Sequence, residues 1–361
     1  MKKNSYIFVA TILVMGYSIN LFAQKSASIK LKDRTPKGIV KYFDRLIKDS
    51  LIVVGQHCAG EDNNQVRGYQ TFFEELHSQT GKYPGLLGLE YGSRPNVPHD
   101  VINQMMIDHW NKGGIVTLTW CADNPFKDGY NGNWNAIINK DSINLKSLLS
   151  IAPDSKAKAS YWTELMQVAK ALKKLKDAGV VVLWRPFHEM NGSWFWWGPN
   201  DDKQPTNLED FKILWQDMHK TFRKMGLDNL VWVYAPNNPF SSSTKEAVLT
   251  MYPGDSYVDI VGMDIYKAPV PDFTDNYELL KKLNKTIVIA ECGDDIDNKG
   301  TKVLDETEIV KKYKGKAGYF MQWHSWYNPR LKVKVRRAII DNPYAKEMMN
   351  LSAAVTLDEM K

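Results

Sequence analysis

Along this chain, apolar runs of strand length alternate with longer segments in which apolar residues recur every three or four positions. Eight runs read as strands: Leu51–Gln56, Leu86–Tyr91, Ile115–Trp120, Val180–Glu189, Leu230–Pro236, Val258–Tyr266, Thr286–Gly293 and Gly318–His324. Several, such as Val180-Val181-Val182-Leu183 and Ile287-Val288-Ile289-Ala290, are apolar at every position, as expected of strands covered on both faces. Between them, helical spacing predicts helices over Tyr69–His77, Val101–Trp110, Tyr161–Lys176, Leu208–Met225, Glu306–Tyr313 and Val333–Asn350. The aromatic stripe Phe211, Leu214, Trp215, Met218 and Phe222 fits a helix packed on a core better than a binding face. Strand and helix in alternation predict a parallel sheet with crossover helices. An open doubly wound sheet places a glycine-rich turn after its first strand, and none follows Leu51–Gln56. The expected fold is therefore α/β, a (β/α)8 TIM barrel forming a single catalytic domain over residues 41–352.

The ends of the chain read differently. Lys2 and Lys3 precede a largely apolar run from Tyr6 to Tyr17, and Ala23 suits the position before a cleavage. Residues 1–23 are expected to be an export signal, destined for periplasm or medium. No Cys follows closely to carry a lipid, and the run is too short for a stable membrane anchor. Residues 24–40 read as an extended arm and 353–361 as a tail. Over 361 residues the formal charge is +6 with no basic stripe, which argues against a nucleic-acid partner. Cys58, Cys121 and Cys292 are too few and too scattered for a disulfide framework. The chain is expected to work as a monomer and without a cofactor.

Function in such barrels collects at the C-terminal strand ends, which surround one mouth. Those ends carry Gln56-His57, Glu90-Tyr91, Trp120 with Asp123-Asn124, then Arg185-His188-Glu189. Tyr234 and Asn237, Asp264 and Tyr266, Glu291, and Trp323-His324 complete the ring. Apolar strands ending in a carboxylate are costly unless the group is partnered or used, and the fourth and seventh both end in Glu. Two facing carboxylates are what glycosidic cleavage needs: one protonates the leaving oxygen, the other attacks the anomeric carbon or activates water. Trp194-Phe195-Trp196-Trp197, between Gly192 and Gly198, cannot all face a core, so some of these rings are expected to be platforms for sugar. No His pair at helical spacing and no Cys/His cluster supports a catalytic metal, and His57, His77, His99, His109 and His219 read as surface or core residues.

The segment Trp184-Arg185-Pro186-Phe187-His188-Glu189-Met190-Asn191-Gly192, with Trp194 to Gly198 after it, resembles the acid/base region of glycoside hydrolase family 26, best known for β-mannanases. Val258–Tyr266 and Ile289-Ala290-Glu291-Cys292-Gly293 are similar to that family's sixth and seventh strands. The resemblance implies Glu189 as acid/base and Glu291 as nucleophile. It implies that His188 contacts the sugar 2-hydroxyl, Asp264 orients His188, and Tyr266 hydrogen-bonds the nucleophile. Trp323 becomes the floor of the cleaved sugar's subsite and Trp194 a platform on the leaving-group side. Arg185 is read as a partner of a carboxylate, and Trp197, Trp120, Asp123 and Asn124 as further sugar contacts.

One position departs from the family: Cys121 stands where it commonly has His, and Cys is the weaker hydrogen-bond partner. A β-mannan-type polysaccharide is the substrate the resemblance implies. β-1,3-Xylan, mixed-linkage β-glucan, or a non-catalytic carbohydrate-binding role are the alternatives.

Overall fold

The computed structural model describes residues 29–59, 64–92, 97–127, 143–201, 207–239, 241–266, 274–293 and 305–361. The expected export signal and the first part of the arm lie outside the described residues. The strands are β1 (Ile52–His57), β2 (Leu86–Gly92), β3 (Ile115–Cys121), β4 (Val182–Pro186), β5 (Leu230–Tyr234) and β8 (Tyr319–Gln322), with two strands each in two pieces. These are β6 (Ile260–Val261 and Asp264–Tyr266) and β7 (Thr286–Ile287 and Ile289–Gly293).

All neighbours around the ring run parallel. Val53 pairs with Tyr319, Leu86 with Gly55 and Ile115, Val182 with Val116 and Leu230, and Val233 with Ile260. The first pieces of β6 and β7 pair through Ile260 with Thr286, the second pieces through Asp264 with Glu291. Hydrogen bonding therefore leaves β6 in one direction and returns to β7 from the other, so the expected eight-stranded (β/α)8 barrel is closed and has no free edge. Every residue of β1, β4, β5 and β8 is buried, as the unbroken apolar runs predicted.

Helices cover the outside. Thr35 caps Pro36–Lys48 by accepting from the Gly38 amide, and Ser155 caps Lys156–Asp177 by accepting from Lys158. The stripe Phe211, Leu214, Trp215, Met218 and Phe222 of Leu208–Lys224 is wholly buried. The expected first crossover helix runs through Gln65–Tyr69, a π-helical stretch Gln70–Glu75 and Leu76–Thr80. Among the described residues no helix is long and apolar enough to cross a membrane, and no disulfide joins Cys58, Cys121 or Cys292 to one another.

Three expectations are corrected. Val333–Asn350 is not one helix: Val333–Val335 forms a hairpin with Trp326–Asn328, and only Ala345–Met349 is α-helical. The run Val333-Lys334-Val335 alternates with period two, which suits a strand, and Asn342-Pro343 interrupts any helix beyond it. The arm ends at Thr35, where the first helix begins. Residues 353–361 are no tail, because Ala354-Val355 pairs with β1 and Leu357–Met360 forms a buried final turn. Val355, Leu357 and Met360 are too apolar to stay in water; each contributes about 1.5–3 kcal/mol when buried.

Candidate active site

At the centre of the mouth, Arg185 of β4 turns inward and is fully buried. Its Nη1 donates to both oxygens of Asp264 at 3.1 and 3.3 Å, and its Nη2 to Thr119 Oγ1 at 2.6 Å and to Glu291 Oε1. Burial works against the guanidinium charge, but Glu291 and Asp264 outweigh it and hold the group cationic. A buried charge of this kind is tolerable only when paired, and here two carboxylates pair it although its Nε has no hydrogen-bond partner. The Tyr266 hydroxyl donates to Glu291 Oε2, so both oxygens of Glu291 are held. Burial, then the charge of Glu291, keeps the Tyr266 phenol protonated.

Glu189 arrives by a different route. The chain leaves β4 at Pro186, and Phe187 and Glu189 then take left-handed backbone angles, φ 51° and 52°. Side chains with a Cβ rarely adopt this region, and such outliers gather at functional sites. The turn is held by the Glu189 amide, which donates to the Ala235 carbonyl at 2.8 Å. Glu189 Oε1 accepts from Asn237 Nδ2 at 2.9 Å and Oε2 from Trp194 Nε1 at 2.7 Å. Gly192 leaves room for the Trp194 ring, since a Cβ there would lie 2.1 Å from it. One oxygen each of Glu189, Asp264 and Glu291 lie within 4.8 Å of one another. Burial first, and then the charge of Glu291, pushes the Glu189 carboxyl up to about 7. Those three acids could ligate a metal, yet Asp264 and Glu291 already surround the Arg185 cation.

Trp323, just past β8, is half-buried and lies flat on the His57 ring, 3.9 Å between centroids at 10°. His57 Nδ1 meets His324 Nδ1 at 3.1 Å. Burial lowers both imidazoles, His324 to about 3, so the support under Trp323 is neutral. His188 is buried beside Phe195, with ring centroids 4.8 Å apart, and is likewise neutral through burial.

Other expected residues fall elsewhere. Asp264 does not orient His188: its carboxylate is taken by Arg185 Nη1, a charged donor and the stronger partner, and His188 Nδ1 has no partner. Trp197 and Trp120 are fully buried and offer no face to a sugar. Trp197 donates to the His188 carbonyl and stacks on Phe195, 4.4 Å apart, so it props the Glu189 turn from below. Trp120 donates to Glu164 Oε1 at 2.7 Å, and Glu164 Oε2 accepts from the Asp123 amide. Asp123 is half-buried, and Asn124 is buried with Oδ1 accepting from the Phe126 amide, shaping the loop after β3. Cys121 is half-buried, its thiol 3.7 Å from Glu90 Oε2. Sequence reasoning passed over His57 as a routine buried or surface residue and left Asn237 without a role. Their only signal was position, at the last residue of β1 and just past β5.

The sequence profile of glycosyl hydrolase family 26 matches residues 32–348. The mannan endo-1,4-beta-mannosidase A and B of Caldalkalibacillus mannanilyticus is 30% identical over 311 residues, 82% of this chain and 58% of that protein. A mannan endo-1,4-beta-mannosidase of Bacillus subtilis is 29% identical over 268 residues, 70% of this chain and 69% of the relative. This chain thus spans little more than half the length of the first relative. The solved Bacillus subtilis mannanase man26 superposes with TM-score 0.71 at 25% identity, covering 91% of this chain and 94% of that one. With its barrel, its paired glutamates and a profile match over most of its length, the chain belongs to glycosyl hydrolase family 26.

Proposed function

We propose that the chain is an exported, monomeric, retaining endo-β-mannan hydrolase in which Glu189 is the acid/base and Glu291 the nucleophile. The observation that carries this reading is the pairing of two buried carboxyls with oxygens within 4.8 Å and opposite environments. Glu189 has neutral hydrogen-bond donors and is pushed up to about 7, whereas Glu291 is tied to a buried guanidinium. Pairs of carboxyls driven apart in this way divide into proton donor and anion. Their closeness favours the retaining geometry, in which the groups stand about 5–5.5 Å apart, over the inverting one at roughly 6.5–9.5 Å, which admits a water.

The reaction follows from these environments. Glu291 attacks the anomeric carbon as Glu189 protonates the departing glycosidic oxygen, leaving a glycosyl ester on Glu291. Esterification removes the negative charge that had helped hold the proton on Glu189, so its carboxyl becomes more acidic and is left ionised. It then takes a proton from water, which attacks the anomeric carbon, displaces Glu291 as a carboxylate and releases the sugar with retention. Trp323, flat and braced by His57, is suited to underlie the sugar at the cleavage point, with Trp194 beyond the acid and His188 within the cavity.

Mannan as substrate class is supported by the relatives named for mannan endo-1,4-β-mannosidase activity. Cys121 favours a second reading, a β-1,3-xylan or mixed-linkage β-glucan substrate, because a thiol replaces an imidazole near the cut. Reducing-end release and product sizes on galactomannan, glucomannan, β-1,3-xylan and mixed-linkage glucan test both. Rapid shortening of mannan alone is expected; no release from any of the four refutes hydrolysis. Export is supported by Lys2-Lys3 and the apolar run after them. The mass of the exported chain should place its new N-terminus after Ala23.

A further inference from the structure

The segment after β8 returns to the mouth and delivers one buried cation there. Arg337 is 8% exposed, and its guanidinium carbon lies 4.1 Å from the centre of the Tyr266 ring and 4.9 Å from that of Trp326. It is thus held between two aromatic rings, the arrangement in which a planar cation gains most from ring electrostatics.

The backbone that carries it is pinned to the barrel. The Arg337 and Ala338 amides both donate to Ser325 Oγ at 2.8 Å, and the Ile339 amide donates to Gln56 Oε1 of β1 at 2.9 Å. The stem of Arg337 passes over Gly293, where a Cβ would lie 2.7 Å from Arg337 Cδ. Gly293 is two residues from Glu291 and pairs with Tyr266 in the sheet. The route of Arg337 is therefore built into the strand that carries Glu291.

We propose that Arg337 is a positioning residue for the hydrolytic reaction, clamping the Tyr266 ring so that its hydroxyl stays aimed at Glu291 Oε2. Tyr266 has two constraints, its hydroxyl on Glu291 and its face under Arg337. Without the second, the ring can rotate about its side-chain bonds and the donor leaves the carboxylate. The cation also polarises the phenol and strengthens a hydrogen bond to an ionised acceptor. The inference rests on Glu291 being the nucleophile, as proposed above.

The test is a double-mutant cycle on polymeric mannan with Arg337→Met and Tyr266→Phe, which keeps the ring and removes the hydroxyl. Arg337→Met should lower kcat by about 5- to 30-fold, with KM changed less than about 2-fold, because the clamp acts at the reacting carboxylate. In the Tyr266→Phe background the same change should cost less than about 2-fold. Arg337→Lys, which keeps a cation over the ring, should recover a substantial part of the loss and serves as the probe should Arg337→Met not fold. Gly293→Ala should lower kcat in the same way by displacing the Arg337 stem. Full activity in Arg337→Met, or losses that multiply in the double variant, overturns the inference. Glu291→Ala is measured alongside: if it stays active the nucleophile assignment fails, and if it is dead while Arg337→Met is normal, only the clamp fails.

Discussion

Asn237→Ala changes one contact of Glu189 and leaves the rest of the mouth in place. The Asn237 amide and the Trp194 indole both donate to Glu189 at 2.9 and 2.7 Å, and each favours the ionised carboxylate. Burial and Glu291 act in the opposite direction and prevail, holding the carboxyl at about 7. Removing the Asn237 donor withdraws stabilisation from the anion only, so the pKa must rise. A hydrogen bond to a charged group is worth about 1.5–3 kcal/mol, or roughly 1–2 pH units at about 1.36 kcal/mol per unit. Water entering the space left by the amide returns part of that, so a shift of about 1 unit is expected. The alkaline limb of kcat/KM, which reports the protonated acid in the free enzyme, should move from near 7 to near 8. Initial rates on soluble mannan from pH 4 to 10, with substrate well below KM, measure it. A limb that stays in place or moves to lower pH would mean that Glu189 is not the group titrating there.

Three other expectations follow from the same contacts. Glu291→Ala should abolish turnover on every substrate, whereas Glu189→Ala should spare glycosylation of an aryl glycoside with an acidic leaving group; equal loss on aryl glycoside and polysaccharide would contradict the division of roles. Arg185→Met leaves Asp264 and Glu291 buried without their cation and should lower stability by about 3–5 kcal/mol, read as a fall in the urea midpoint. Because the folded-state pKa of Glu189 lies above its unfolded value, the native state gains stability from this group at low pH and loses it as pH rises from about 4 through 7. Glu189→Gln should therefore raise the melting temperature relative to the parent at pH 8 and not at pH 4; the reverse order would show that burial does not dominate this carboxyl.

How far the site could be read without coordinates differed by residue. Glu189, Glu291, Tyr266 and Trp323 stood out because each follows or ends an apolar run, where a carboxylate or a half-exposed ring is conspicuous. Trp197 and Trp120 were misjudged for the same reason: both stand beside the mouth in sequence, but their indole N–H groups find partners inside, at the His188 carbonyl and at Glu164. An aromatic ring near a strand end can face up or down, and the choice depends on which neighbour offers an acceptor. Asp264 was read as the partner of His188 and instead belongs to Arg185, a contact from β4 to β6 across the barrel.

What the sequence determined by itself was periodicity: eight buried runs, the helices that cover most of them, and which carboxylates end at one rim. Local chain geometry and the hydrophobic effect fix these without reference to distant residues. What only the tertiary structure decided were distances between strands far apart in the chain. Examples are the guanidinium that joins Glu291 to Asp264, the imidazole under Trp323, and the return of Arg337 and residues 353–361 to the barrel. Barrel closure sets those contacts, because it alone brings β1 against β8 and turns β4 to face β6 and β7 across the interior, and nothing in any single segment encodes how near they come.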